Sequence, residues 1–203
     1  VTAATTDPYR EAVWEGVPPG APPERFEHRR RFLLDHVAAG DRVLDLGCGE
    51  GDFAAALHEA GAHPVGVDVA REPLRRAAQR QPRLELRLWP ALQPLPAADD
   101  EFDAAWAGEV IEHVADTPGW LAEVRRSLRR DGLLLLTTPA HARALRLRLA
   151  LSDRAFEEHF SVRADHLRFF TARALRTLLA DLGFDDVHVT RDGPTLLARG
   201  RRG

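Results

Sequence analysis

The chain has 203 residues, a net charge of −3 and 44% hydrophobic residues, enough to bury one sizeable core. Its 28 basic residues are all arginine, which excludes Schiff-base chemistry and any catalytic lysine. Cys48 is the single cysteine, so an intramolecular disulfide framework and a cysteine metal cage are excluded as well. No apolar run approaches the roughly 20 residues of a bilayer span, so no membrane partner is expected. No leader pattern opens the sequence, and a cytoplasmic location is the expectation. The charge balance lacks the signature of a nucleic-acid binder.

Residues 1–22, ending within "GVPPGAPP" (16–23), are rich in Pro, Gly and Ala and read as an arm or loop. "ERFEHRRRFLLDHV" (24–37) places Phe26, Arg30, Leu33, Leu34 and Val37 at helical spacing. "RVLDLG" reads as a strand, and a glycine-rich turn then enters a helix near 52–60. Strand 64–69, helix 71–80, strand 83–88, a Pro-rich loop 89–98, strand 102–107, a helix over 117–130 and strand 132–138 follow. After Pro139 the alternation stops, and 140–160 is Arg-rich and weakly amphipathic with no evident strand. It resumes with a helix over 171–183, with Thr171 as N-cap and Gly183 as its stop. Two strands joined by "RDG" close the chain as an antiparallel pair. Strands alternating with helices predict an α/β, mostly parallel sheet covered on both faces.

"VLDLGCGEGDF" (43–53) carries the most chemistry. Gly47, Gly49 and Gly51 let backbone N–H groups approach a ligand, and the following helix N-terminus favours an anion. Dinucleotide-binding folds use such a turn too. Asp45, just before it, would gain a phosphate nothing. Asp68 ends the second strand, where a carboxylate can take both hydroxyls of a ribose. A ligand with a ribose, a cationic centre and an amino-acid head group fits; S-adenosylmethionine (SAM) has these parts. Singly, Asp45 reads equally well as a turn-stabilising carboxylate and Asp68 as a strand-end cap.

"VLDLGCGEGDFAAAL", "GVDVA", "LPAADDEFDAAWAGEVIEHVAD", "LRRDGLLLLTTP" and "HLRFFTARALRTLLADLGF" resemble successive motifs of the class I SAM-dependent methyltransferases, over about 25–190. Within that class they are most similar to small single-domain enzymes acting on quinones, sugars and natural products. The resemblance implies a Rossmann-like, doubly wound seven-stranded sheet with the final strand antiparallel, in a single domain over 1–203, with 140–168 as a substrate lid. It further implies Gly47, Cys48 and Gly49 along the methionine portion through backbone, Asp68 on the ribose, Val69 beside the adenine and Glu109 near the methionyl amine. The family's adenine-contacting acid is replaced by Ala91; Trp89 either lies on the adenine face or is buried at a strand end, and the Leu92 N–H is in reach of a ring nitrogen.

"GEVIEHV" (108–114) allows three readings. His113 can be the base for an acceptor oxygen or nitrogen. In a helical segment Glu109, Glu112 and His113 share a face and, with a distal His166 or His159, can bind a divalent ion, as in the RNA-terminal ribose 2′-O-methyltransferases they then resemble. Glu112 can also be a plain cap or ion-pair partner. The leading expectation is a metal-free enzyme with a small-molecule acceptor, His113 being catalytic. A metal-dependent RNA ribose methyltransferase and a SAM-binding partner protein without turnover are the alternatives. A nicotinamide dehydrogenase is disfavoured by Asp45. Arg143, Arg146 and Arg148 suit an anionic acceptor or a solvated helix face, and Tyr9 and Trp14 can fold over the cofactor. The acceptor and the oligomeric state are not legible.

Overall fold

A computed structural model describes residues 8–90, 93–141, 143–160 and 166–203. Strands β1 (Arg42–Leu46), β2 (His63–Asp68), β3 (Glu85–Leu88), β4 (Phe102–Gly108), β5 (Leu128–Pro139), β6 (Phe184–Asp192) and β7 (Thr195–Arg202) form one sheet in the order β3-β2-β1-β4-β5-β7-β6. The first five run parallel. β7 inserts between β5 and β6, antiparallel to both. The doubly wound α/β fold with an antiparallel last strand is the one the sequence predicts.

The strand pleat sorts side chains to two faces. Leu44, Leu46, Ala105, Ala107, Leu134 and Leu136 belong to one buried cluster. It is capped by helices α5 (Thr117–Ser127) and α8 (Ala172–Asp181), through Leu121, Val124, Leu175 and Leu179. Val43, Ala104, Trp106, Leu133 and Leu135 face the other way. They meet α2 (Phe26–Leu34) and α3 (Asp52–Glu59) through Leu33, Phe53 and Leu57. Burial on both faces is why these strands read as near-continuous apolar runs.

Three expectations are revised. Residues Pro8–Gly16 of the expected arm form helix α1. Its Glu11 carboxylate accepts the N–H groups of Arg71 (2.7 Å) and Glu72 (3.2 Å), the open first turn of α4 (Arg71–Arg80). The helix expected to reach residue 130 ends at Ser127, because extended Leu128 pairs with Phe102 and is fully buried. And "EVIEHV" is no α-helical face: Glu109 has φ 60° and Ile111–His113 is a single 3-10 turn.

Between β5 and α8, the 140–168 excursion contains α6 (Arg143–Leu151) and α7 (Asp153–His159). Thr171 caps α8 as expected, its hydroxyl accepting the Ala174 N–H at 3.2 Å. Gly183 ends the helical stretch at φ 81°. Thr171→Ala is expected to lower stability by about 1 kcal/mol, read as a shift in the urea midpoint. An unchanged midpoint would remove the cap from the helix's support.

Candidate active site

Parallel strands bring their carboxyl ends to one edge, and the connections diverge between β1 and β4, where such sheets hold ligands. Backbone pairing extends one or two residues past the strands there. Cys48 N donates to Val67 O (3.0 Å), Trp89 N to Asp68 O (2.8 Å) and Glu109 N to Thr137 O (3.0 Å). The four loops after β1 to β4, which carry the expected cofactor residues, therefore leave the sheet side by side.

The glycine turn lies against its neighbours with no room for side chains. At Gly47 (φ 64°) a Cβ would sit 2.7 Å from Val110 Cγ2, and at Gly49 (φ 55°) 3.0 Å from the Trp14 ring. Buried Asp68 is wound into this turn: Oδ2 accepts the Gly49 N–H (3.1 Å) and Oδ1 the Ala70 N–H (3.0 Å). Burial raises its pKa, against the pull of the Ala70, Gly49 and Val69 N–H groups. Each oxygen keeps a lone pair for a hydroxyl.

A partly open cavity of about 250 Å³ runs beneath the turn, lined among others by Trp14, Arg29, Asp45, Gly47, Gly49 and Trp106. Three of its lining groups hold a buried polar atom with no partner among the described residues: Asp45 Oδ2, Arg29 Nε and Trp106 Nε1. Unpartnered buried polar atoms are rare and costly, and here they converge from β1, α2 and β4. Asp45 is 1% exposed. Burial pushes its pKa up to about 8, opposed by the Ala54 N–H and reinforced by Asp68 and Asp52.

Arg29 was missed in the sequence. The helical face was drawn through Arg30, whereas the structure buries Arg29 to 3% exposure with Leu33. Its guanidinium lies 5.1 Å from the Phe53 ring centroid, and burial lowers its pKa against the attraction of Glu109, Glu24 and Glu112. The i, i+4 spacing to Leu33 was the available signal.

The arm closes the cavity from above. The Arg76 guanidinium donates to Val17 O (2.8 Å), Trp14 O (3.0 Å) and Glu50 (3.2 Å). Arg80 donates to Glu50 (2.8 Å), which also accepts the Gly20 N–H (2.9 Å). Trp14 is thus held on the glycine turn.

Beyond β4, Glu112 is fully buried. Its Oε2 accepts the Thr138 hydroxyl at 2.9 Å, while Oε1 and the Glu109 Oε1 have no hydrogen-bond partner among the described residues. Burial raises both carboxyl pKa values, and Glu109's charge raises Glu112 further. Half-buried His113 meets His166 edge-on, with ring centroids 4.8 Å apart. Leu167 N and Arg168 N both donate to Glu112 O (2.8 and 3.0 Å), which fixes His166 there. The other distal candidate, His159, instead pairs with His141 through Nε2 atoms 3.2 Å apart.

Trp89 is half-buried against the core, its indole N–H donating to Gln93 O (2.8 Å). Val69 is half-buried just beyond β2. Ala91 and Leu92 lie outside the described residues. Cys48 is buried and burial pushes its thiol pKa up, consistent with a backbone role. The lining residues combine a buried cation, carboxyls and a backbone cradle, and Asp68 beside the turn adds a carboxylate open to hydroxyls. That set fits SAM, which carries a carboxylate, an ammonium, a sulfonium and a ribose.

Fold and site together define a Rossmann-like SAM-binding domain. A sequence family described as a methyltransferase domain matches residues 21–189, and the chain belongs to it, as a class I SAM-dependent methyltransferase with SAM as cofactor. Methyltransferase GfsG of Streptomyces halstedii is 39% identical over 120 residues, 56% of this chain and 42% of that protein. A ubiquinone biosynthesis O-methyltransferase of Ruegeria sp. (strain TM1040) is 33% identical over 115 residues, 55% of this chain and 47% of that protein. A solved SAM-dependent methyltransferase from Mesorhizobium loti shares the fold with a TM-score of 0.67 at 21% identity, covering 90% of this chain and 99% of its own. The chain spans about half the length of the curated relatives it matches. Among the described residues no helix is long and apolar enough to cross a membrane.

Asp45 gains a proton on folding, since its folded pKa of about 8 lies above the ordinary 3.8. Between those values the ligand-free fold binds more protons than the unfolded chain, so stability falls as pH rises. The slope reaches at most roughly 1.4 kcal/mol per pH unit. Asp45→Asn is expected to remove it, so that its advantage over the parent in urea unfolding grows from pH 5 to pH 8. Parallel profiles would place the Asp45 proton elsewhere.

Proposed function

We propose that the chain transfers a methyl group from SAM to an oxygen or nitrogen of a small-molecule acceptor. Its chief support is the convergence of the unpartnered Asp45, Arg29 and Trp106 atoms on one cavity beside the glycine turn. When bound, SAM supplies an activated methyl group on a sulfonium. Arg29 would take the methionyl carboxylate and Asp45 and Glu109 the amine side, while Gly47, Cys48 and Gly49 present backbone. Asp68 would hold the ribose hydroxyls, with Val69 and Trp89 toward the adenine. Trp14, held over the turn by the Arg76 contacts, would exclude water.

Aligning donor and acceptor is the main task in such a displacement. Loss of the acceptor's proton is assigned to the His113 end of the site, after β4 and beside the 166–170 segment. Exposed Leu147, Leu151 and Phe156 on α6 and α7, with Leu167 and Phe169, give the lid an apolar surface, favouring a largely apolar acceptor. The O-methyltransferase relative named for ubiquinone biosynthesis favours oxygen over nitrogen.

Trp14 and Trp106 line the cavity, so SAM is expected to change tryptophan fluorescence saturably while NAD does not. Arg29→Ala is expected to weaken SAM binding about tenfold or more, from a charged hydrogen bond of roughly 1.5–3 kcal/mol. His113→Ala should keep SAM binding and lose on the order of 100-fold or more in acceptor turnover. No SAM response would overturn the reading. Turnover by His113→Ala within a few-fold of the parent would remove His113 from it.

A further inference from the structure

We infer that α6 and the apolar surface beside it dock the chain on an anionic lipid bilayer. Of the seven large apolar side chains exposed among the described residues, five lie between 147 and 169: Leu147, Leu151, Phe156, Leu167 and Phe169. Exposed apolar groups gathered on one excursion mark an interaction site, whereas scattered single ones do not. Phe156 and Phe169 both rest on Phe160, with ring centroids 4.6 and 4.8 Å from it. The rings of α7 and of the segment before α8 therefore share one patch.

α6 is built with its polarity reversed. Leu147 and Leu151 lie one turn apart and are 60% and 77% exposed, whereas Leu149 between them is buried. A helix advances about 100° per residue, so Arg146 and Arg148 flank Leu147 on either side, and Arg143 precedes it by one turn. All three arginines are exposed, and among the described residues none is paired with an acid. An outward apolar stripe rimmed by guanidiniums suits a helix lying in a bilayer surface. The leucines enter the acyl layer and the arginines reach the headgroups.

Charge selects the occupant. The chain carries a net charge of −3, yet 140–152 holds three arginines and no acid. Asp153, Glu157 and Glu158 sit on α7, where Arg154 pairs with Glu158 at 2.8 Å. An anionic surface complements α6. A second copy docked through the same face would set arginine against arginine. A nucleic acid would meet leucines, which offer no ring for a base to stack on. The absence of a long apolar helix among the described residues bears on spanning alone, and a surface helix needs no such length. Docking stands or falls by itself. Its purpose, bringing an apolar acceptor from the bilayer to the His113 end of the site, rests on the methyl-transfer reading.

The test is flotation of the full chain with vesicles of phosphatidylcholine alone and of equimolar phosphatidylcholine and phosphatidylglycerol. Binding to the mixed vesicles that weakens with salt, and little to phosphatidylcholine alone, is expected. Arg143→Gln, Arg146→Gln and Arg148→Gln together should weaken it on the order of 100-fold, about fivefold for each arginine. Arg143→Lys, Arg146→Lys and Arg148→Lys together should retain it. Leu147→Gln with Leu151→Gln should cost at least about tenfold in a chain that still answers SAM by fluorescence, since both side chains are exposed. Equal binding to the two vesicles, or full binding by the glutamine variant, would overturn the docking. So would a dimer that the leucine variant dissociates, in a chain indifferent to vesicles. A chain that binds SAM but no vesicle would refute this inference alone; one that binds mixed vesicles but no SAM would refute the methyl-transfer reading alone.

Discussion

The carboxyl edge of the sheet is organised around polar atoms removed from water without hydrogen-bond partners among the described residues. Burying such an atom costs free energy unless it is hydrogen-bonded, and a fold keeps the cost only where something else recovers it. Here β1 delivers Asp45, β4 delivers Trp106 and α2 delivers Arg29. None is explained by packing alone. A leucine at position 45 would continue the pattern of Leu44 and Leu46, both essentially inaccessible. The pleat instead turns an aspartate toward the α2 and α3 face, beneath the glycine turn. Both strand register and helix placement serve to desolvate this corner while leaving it hollow.

Hollowness has to be protected, and the arm supplies the cover. Glu50 sits within the glycine turn, between Gly49 and Gly51, and is 4% exposed. It joins Arg76 and Arg80 of α4 to the Gly20 N–H of the arm. Glu11 meanwhile covers the N-terminus of α4, satisfying donors that a helix start leaves open. The same helix thus anchors the arm at both ends. Trp14 lies against Gly49 because that residue has no side chain; the glycine serves ligand approach and arm closure at once.

The strands, the helices between them and the glycine turn were legible because they rest on local chemistry: apolar runs, period 3.6, a cap at Thr171 and a stop at Gly183. The seven-stranded topology came only through the family resemblance. Asp45 and Asp68 were legible from their position beside that turn. Arg29 was not, because an arginine in an amphipathic helix ordinarily faces water and only the cavity reveals the exception. α1 was hidden by the Pro and Gly around it, and its stability depends on contacts with α4 rather than on propensity. The meeting of His113 with His166 was offered only as one of two pairings. The choice between His166 and His159 rests on the two N–H bonds to Glu112 O, which are invisible to spacing.

The two ends of the site differ in how the chain builds them. At the glycine turn the chain offers backbone N–H groups and two aspartates, fixed by the ends of β1 and β2. Past β4 the chain leaves regular structure within one residue: Glu109 adopts φ 60° and a single 3-10 turn carries Glu112 and His113. A short turn has few internal hydrogen bonds, so its shape is imposed from outside, here by the 166–170 segment and by Thr138 of β5. That outside support comes from the segment just before α8 and from β5, through the Leu167 and Arg168 N–H groups and the Thr138 hydroxyl. The regular end of the site rests on local motifs and the irregular end on contacts between distant segments, which is why the family of this chain is legible in its motifs and its acceptor is not.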